Sequence, residues 1–381
     1  MRARLLTFVL VLGALVLVAL AWFAGRDLYS QFEQRLAITG DSASAEAPSS
    51  SAMLLPSLRN AEQWLNKGEA AIDSLHLRPT LLLLWNETRP ACLRVLPSVQ
   101  AWHEAYGRYG LAVVGVYEPE FTFGADSAMA EAAARRLHLT FPIALDPSLR
   151  IGSTFGVTSN LPRLVLFDGT GHAREQLGVS GVVAMESAIR RELRSFKPEL
   201  RFPADPGSSA VHETAESPWP PPVYLGTSRV TNGPLTSATP GREQLFTAQF
   251  RYQVEGVAYT PYPVGLWKPT SEGITAGRGG AENFVALRYD AGTLGAVMSP
   301  ESGAKSRVWI LRDEHWLTRD MLGADARLDG RGGSYVDVDA PRWYELCRDS
   351  GGDHVVKLSP EQPGVTLHAL TFEPVNEPAR P

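Results

Sequence analysis

Leu81-Leu82-Leu83-Leu84-Trp85-Asn86-Glu87-Thr88-Arg89-Pro90-Ala91-Cys92 is the stretch on which the fold turns, with Leu96-Pro97 just beyond it. Leu81 to Trp85 is short and fully apolar, the pattern of a strand buried on both faces. A polar turn follows. Pro90 then stands where a helix accepts proline, at its first position, and the spacing predicts a helix from about Pro90 to Tyr109. Working outward, LAVVGVY (111–117) predicts the next strand. Ser127 to Leu137 is rich in helix formers and carries Arg135 and Arg136 in its last turn. FPIAL (141–145), LPRLVLF (161–167) and AREQLG (173–178) supply further strands, and Val182 to Phe196 a closing helix. Asp168-Gly169-Thr170-Gly171 is a hairpin signal. Strands alternating with helices predict a mixed α/β domain over residues 56–197.

The texture then changes. Residues 198–224 hold seven prolines, including Pro220-Pro221-Pro222, so 198–223 reads as a semi-extended linker. From Tyr224 onward short β-type runs are punctuated by Gly: FTAQFRY, FVALRY, TLGAVM, SRVWIL, SYVDV, WYELC, HVVKL and TLHALTF. About eight strands predict an all-β sandwich or jelly roll over 224–375, with a tail at 376–381.

The chain has 381 residues, is 44% hydrophobic and 20% charged, and has a net charge of −5. This excludes wholesale disorder, collagen and a coiled coil. No Lys/Arg block lies outside the extreme N-terminus, which argues against nucleic acid as a partner. Leu5 to Ala24 (LLTFVLVLGALVLVALAWFA) contains no charge, and at 1.5 Å per residue it spans roughly 30 Å, the thickness of a bilayer core. Arg2 and Arg4 precede it, so the positive-inside bias sends everything after Arg26 across the membrane. Residues 1–26 therefore read as a single transmembrane anchor in a bacterial inner membrane, with the bulk in the periplasm. The other reading is a signal peptide cut near Ala19-Leu20-Ala21, which would make the protein secreted. Residues 27–55 read as a flexible tether. Two cysteines cannot form a disulfide framework. The eight histidines show no ligand spacing, so neither a metal nor another cofactor is expected.

The Trp85–Cys92 stretch resembles the active-site loop of the thioredoxin superfamily, in which W-x-x-x-C-x-x-C precedes a helix with a proline five residues after the second cysteine. Trp85 and Pro97 set the register, so the second family cysteine falls on Cys92 and the first on Arg89. Ala101-Trp102-His103-Glu104-Ala105-Tyr106, Gly115-Val116-Tyr117-Glu118-Pro119-Glu120-Phe121 and Trp64-Leu65-Asn66 look like stretches of the TlpA/DipZ type. That type comprises exported thioredoxin-like proteins linked to cytochrome c biogenesis and thiol redox. Leu161-Pro162 stands where the superfamily places its cis-proline, beside a backbone edge that can pair with peptides. More weakly, Tyr224-Leu225-Gly226, Leu328-Asp329-Gly330, Arg342-Trp343-Tyr344-Glu345-Leu346 and Leu370-Thr371-Phe372 resemble the carbohydrate-binding-like β domain appended to DipZ. The resemblance implies a thioredoxin-like fold followed by that β domain, with one anchor in place of the family's electron-carrying membrane portion.

Dithiol–disulfide exchange needs an exposed, low-pKa thiolate and a second thiol to resolve the mixed disulfide. Arg89 has no thiol, so the former active-site loop (Trp85, Arg89, Pro90, Ala91, Cys92) lacks half of that machinery. Cys347 would substitute only if the β domain docked on the site, which the Pro-rich linker argues against. Two readings of Cys92 stand: a buried thiol packing as a small hydrophobe, or the catalytic residue of a monothiol, peroxiredoxin-like site. Arg89 likewise is either a screened surface cation or a receiver of an anion in the old groove. Glu118 and Glu120 are expected to be solvated, and His103 to have no catalytic role. Of Trp267, Trp309, Trp316 and Trp343, three are expected in the core. The function expected is a binding or scaffold module of envelope thiol redox or cytochrome c maturation that has lost dithiol exchange. A protein or an envelope glycan is its expected ligand.

Overall fold

The structure is a computed structural model that describes residues 54–66, 75, 78–155, 161–199, 201–202, 219–247, 257–301 and 305–375. The anchor, nearly all of the tether, most of the linker and the tail lie outside the described residues. Among the described residues no helix is long and apolar enough to cross a membrane.

The first domain runs α1 (Leu54–Leu58), β1 (Gln63–Leu65), β2 (Thr80–Trp85), α2 (Pro90–Tyr106), β3 (Ala112–Tyr117), α3 (Ser127–Arg136), β4 (Ile143–Leu145), α4 (Arg150–Thr154), β5 (Arg163–Phe167), β6 (Ala173–Leu177) and α5 (Val182–Phe196). Six strands form one sheet in the order β1-β4-β3-β2-β5-β6. β2 pairs in parallel with β3 and antiparallel with β5, so the first apolar run and Arg163–Phe167 are neighbours. The period of two divides β2 between two cores. Leu81, Leu83 and Trp85 pack with α2, α3 and α5. Leu82 and Leu84 pack on the other face with Leu58 and Ile151. All six β2 residues are buried, which is why the run reads as continuous rather than alternating.

Motif residues serve this packing. Asn66, at φ 54°, donates from Nδ2 to the carbonyls of Leu139 and Phe141, 2.9 Å each, and so fastens the end of β1 to the chain entering β4. Gly115 leaves room where a side chain would strike Phe141 and the Trp85 indole. Asp168 Oδ1 accepts from the backbone of Thr170 (2.8 Å) and His172 (3.1 Å), closing the β5–β6 hairpin as its Asp-Gly signal predicts. The Leu161–Pro162 peptide is cis.

The second domain is an all-antiparallel β region, described from β7 (Val223–Tyr224) and β8 (Gln244–Phe246) through β9 (Tyr262–Pro269), β10 (Ile274–Ala276), β11 (Phe284–Asp290) and β12 (Thr293–Ser299). It continues with β13 (Ser306–Arg312), β14 (His315–Trp316), β15 (Ala326–Leu328), β16 (Ser334–Val338), β17 (Arg342–Arg348), β18 (Asp353–Pro360) and β19 (Thr366–Glu373). β9 pairs with β11 at its start and with β8 and β10 farther along, so it carries the chain from one sheet into the other. The two sheets enclose one core around Trp267, Tyr289, Tyr344 and Phe372.

Among the described residues this domain has thirteen strands where eight were expected, and residues 248–252 of the expected FTAQFRY strand lie outside the described residues. β9 was missed because Pro261, Pro263 and Pro269 make Tyr262–Pro269 read as loop. The tryptophan expectation is also corrected. Trp267 is fully buried and donates to the Val264 carbonyl at 2.8 Å. Trp309 and Trp343 are half-buried, and Trp316 is 46% exposed.

Candidate functional site

The former active-site loop joins β2 to α2. Arg89 is the N-cap of α2, in extended conformation, with Pro90 and Ala91 forming the helix start. A cation at this end opposes the helix dipole by about 0.3–1 kcal/mol, so something must hold it. Arg89 Nη2 donates to Glu120 Oε1 at 2.9 Å. Thr88 donates its hydroxyl to Glu120 Oε2 at 2.7 Å. A charge-assisted hydrogen bond contributes about 1.5–3 kcal/mol, enough to outweigh the dipole.

Glu118 and Glu120 are not solvated as expected: Glu118 is buried and the Glu120 side chain is only 7% exposed. The second domain completes Glu120's shell. The Tyr224 hydroxyl donates to Oε1 at 2.6 Å, and Arg229 reaches Oε1 at 3.5 Å and the Glu120 carbonyl at 3.4 Å. Opposite charge and four donors hold the Glu120 carboxyl below the usual range, although burial alone would raise it.

The β domain is therefore docked on this face, contrary to what the linker suggests. Phe121 packs with Val297 and Ala369, flanked by Phe123, Tyr224 and Trp343. Phe121 and Phe123 stack at 5.5 Å, and the His368 ring lies 5.1 Å and 5.2 Å from them. The Arg229 guanidinium covers both Phe121 and Tyr224, 4.5 Å and 4.0 Å from their centres. The Glu272 carboxylate accepts from Thr122 N at 3.0 Å. Arg94 on α2 pairs with buried Glu373.

Docking does not bring a second thiol. Cys347 sits in the sandwich core, its thiol 3.5 Å from Asp349 Oδ2, while Cys92 sits in the core under α2; both are free. Cys92 has no exposed surface. Burial pushes its thiol up to about 12, and the Asn86 backbone and Arg89 only partly counter this. The helix N-terminus thus does not deliver a thiolate here. Leu161 and Pro162 line the cis-proline turn at the edge of β5, and residues 156–160 before it lie outside the described residues. His103 faces Phe141 at 6.0 Å on the flank of α2, away from the loop. Among the described residues no cluster of His, Cys, Asp and Glu has metal-binding form.

Sequence reasoning missed Glu118, Asp146, Tyr224 and Arg229 as site residues. The Glu-Pro-Glu-Phe run (118–121) and the Tyr-Leu-Gly run (224–226) were visible, but nothing local says that they meet. Asp146 caps α4, accepting from the backbone N–H of Arg150, Ile151 and Gly152. Glu118 lies beside it, with Oε1 buried and without a hydrogen-bond partner. A Cβ on Gly152 would fall 1.9 Å from that oxygen, so a side chain there would force the Glu118 carboxylate to move. Burial, and then the neighbouring Asp146 charge, raise the Glu118 carboxyl to about 7.

Two outcomes follow from these charges. Glu120→Ala leaves Arg89 and Arg229 facing each other without their anion. We expect a loss of about 3–5 kcal/mol and an enlarged radius of gyration in solution scattering as the β domain separates. Glu118 has the opposite sign. Its raised pKa gives stability that is full below about 4.5 and lost as pH rises through about 7. The neutral isostere Glu118→Gln should match the wild type at pH 5 and exceed it by about 1–3 kcal/mol at pH 8 in urea melts. Equal stabilities at pH 8 would falsify the assignment.

Residues 220–372 match the family described as thioredoxin like C-terminal domain. Protein DipZ of Mycobacterium tuberculosis (strain CDC 1551 / Oshkosh) is 27% identical over 272 residues, 70% of this chain. This chain spans only 38% of the length of that relative. Thiol-disulfide oxidoreductase YkuV of Bacillus subtilis (strain 168) is 29% identical over 141 residues, 36% of this chain and 93% of YkuV. Among solved structures, a thioredoxin-like protein in its oxidized form shares 26% identity at TM-score 0.33, covering 35% of this chain and 90% of that one. A secreted Mycobacterium tuberculosis disulfide oxidoreductase homologous to E. coli DsbE shares 20% identity at TM-score 0.25, covering 30% and 86%. The chain thus has a thioredoxin-like first domain, a second domain that matches the thioredoxin like C-terminal domain family, and similarity to DipZ across both.

Proposed function

We propose that this protein works in the bacterial envelope as a binding or scaffold module of thiol redox or cytochrome c maturation, without dithiol exchange of its own. It is held at the inner membrane by residues 5–24, with residues 56–375 in the periplasm. One observation carries the reading. At the N-cap of α2, where the superfamily register calls for the attacking sulfur, Arg89 donates to a buried carboxylate, and the only neighbouring thiol, Cys92, is sealed beneath it. A thiol with a pKa of about 12 has almost no thiolate at neutral pH. That also argues against a monothiol peroxidase at Cys92. What the loop retains is shape: a cis-proline turn beside β5 and a docked second domain.

The test is thiol chemistry on the full chain. Cys92 should react with a disulfide reagent only at the rate of unfolding, and insulin reduction should stay at background, unchanged by Cys92→Ser. Turnover that Cys92→Ser abolishes would restore the enzymatic reading.

A second reading, glycan binding through the β domain, has its own observation. β13 alternates, with Val308 and Ile310 inward and Arg307 and Trp309 outward. Trp309 pairs across strands with Tyr335 at 5.7 Å and meets exposed Trp316 at 5.7 Å. Arg307 lies 3.7 Å from the centre of the Tyr335 ring. Rings at a sheet surface with polar groups at the rim suit the apolar faces and hydroxyl edges of sugars. If this surface takes envelope glycan, Trp316→Ala should weaken binding at least tenfold in calorimetry with soluble peptidoglycan fragments. Retention of full affinity in that variant would move the site elsewhere.

A further inference from the structure

The end of the first domain opposite Arg89 carries a second surface that the proposed function does not use. α2 is 17 residues long, about 25 Å, so its C-terminus lies far from the docked face. There Tyr106, Tyr109, Phe196 and Phe202 gather. Phe202 meets Tyr106 and Tyr109 edge-on at 5.9 Å and 5.5 Å, and the Phe196 ring lies against Gly110. Each outer ring is covered by a cation: Arg108 over Tyr109 at 5.3 Å, Arg194 over Phe202 at 5.4 Å and Lys197 over Phe196 at 5.4 Å.

Arg108, Arg194 and Lys197 are exposed, and among the described residues none of them is paired with a carboxylate. Arg201 adds a fourth exposed cation, with Glu199 the exposed acid among them. Phe196 is 37% exposed. A chain with a net charge of −5 has thus collected positive charge over aromatic rings at one end of one domain.

Rings that prefer the boundary between water and hydrocarbon, rimmed by cations that attract phosphate headgroups, have the chemistry of a membrane-surface contact. We propose that this end of the thioredoxin-like domain rests on an anionic lipid surface through Arg108, Arg194, Lys197 and Phe196. The occupant is a bilayer rather than a soluble anion because an exposed phenylalanine stands among the cations. The orientation that results points α2's N-terminus, Glu120 and the docked β domain away from the membrane. The inference rests on residues 5–24 holding the chain at a bilayer, and the experiment reads the two separately.

Full-length protein is mixed with vesicles of phosphatidylcholine alone or with 30% phosphatidylglycerol. Flotation with the neutral vesicles reads the apolar segment. Hydrogen exchange at Arg108–Gly110 and Arg194–Arg201 reads the face. We expect exchange there to slow at least threefold on the anionic vesicles, to recover in 0.5 M salt, and to lose all dependence on lipid charge in the triple variant Arg108→Glu/Arg194→Glu/Lys197→Glu. Unchanged protection of β2 and β5 shows that the variant is folded. Equal exchange on both vesicle types, or a lipid-charge dependence that survives the triple variant, overturns the proposal.

Discussion

A carboxylate removed from water must be given back its charge partners and hydrogen bonds, and Glu120 obtains them from two domains at once. Thr88 and Arg89 come from the loop before α2; Tyr224 and Arg229 come from the start of the β domain. The first domain gives each carboxylate oxygen one donor, and the second domain adds two more on Oε1. The bond that lets a guanidinium stand at the positive end of a helix is therefore also the bond that sets the β domain against that helix. Arg89, the sealed thiol of Cys92 and the position of the second domain are parts of one electrostatic solution.

Beside the aromatic neighbours of that carboxylate lies a buried imidazole that favours its neutral form. His368 touches Phe121 and Phe123, is hydrogen-bonded to Ser299 at 2.9 Å, and burial lowers its pKa to about 4. Its contribution is full above about 6.5 and is lost as pH falls through about 4. Glu120 changes in the same direction, because its pKa is depressed and its stabilisation disappears on protonation. Acid thus acts on both sides of the interface, on the anion that binds the domains and on the imidazole packed between them. Glu118, behind the loop, changes the opposite way, which keeps this pH dependence from being a simple acid weakness.

Much of the fold was legible because it is local. Leu81–Trp85 announces a strand buried on both faces, Pro90 a helix start, and Asp168–Gly171 a hairpin, and each has that form in the structure. The same rules failed where a residue's environment comes from afar. Glu118-Pro119-Glu120 looks like solvent-facing charge until Tyr224, Arg229 and Asp146 are placed around it. Linker composition argued against docking, yet a linker sets only how freely two domains find each other. The interface contacts then decide whether they stay together. The tryptophans misled for a related reason: counting strands does not say which face of β13 points inward. β9 was hidden by three prolines because a strand crossing between sheets leaves some of its N–H positions without ladder partners, and proline is tolerated there.

The two ends of α2 are treated oppositely by the charges around them. At its N-terminus the helix dipole is positive, and the structure adds a cation and then a buried anion that claims it. At its C-terminus the dipole is negative, and Arg108, Arg194 and Lys197 lie there over aromatic rings, none of them paired with a carboxylate among the described residues. An internal partner engages the first end, and the second differs from it in having its cations at the surface. In a redox enzyme of this shape the N-terminal end is where a substrate must arrive. Here that end is engaged within the chain by Glu120, so the proposed scaffold reading draws on the charge distribution as well as on the arginine at position 89.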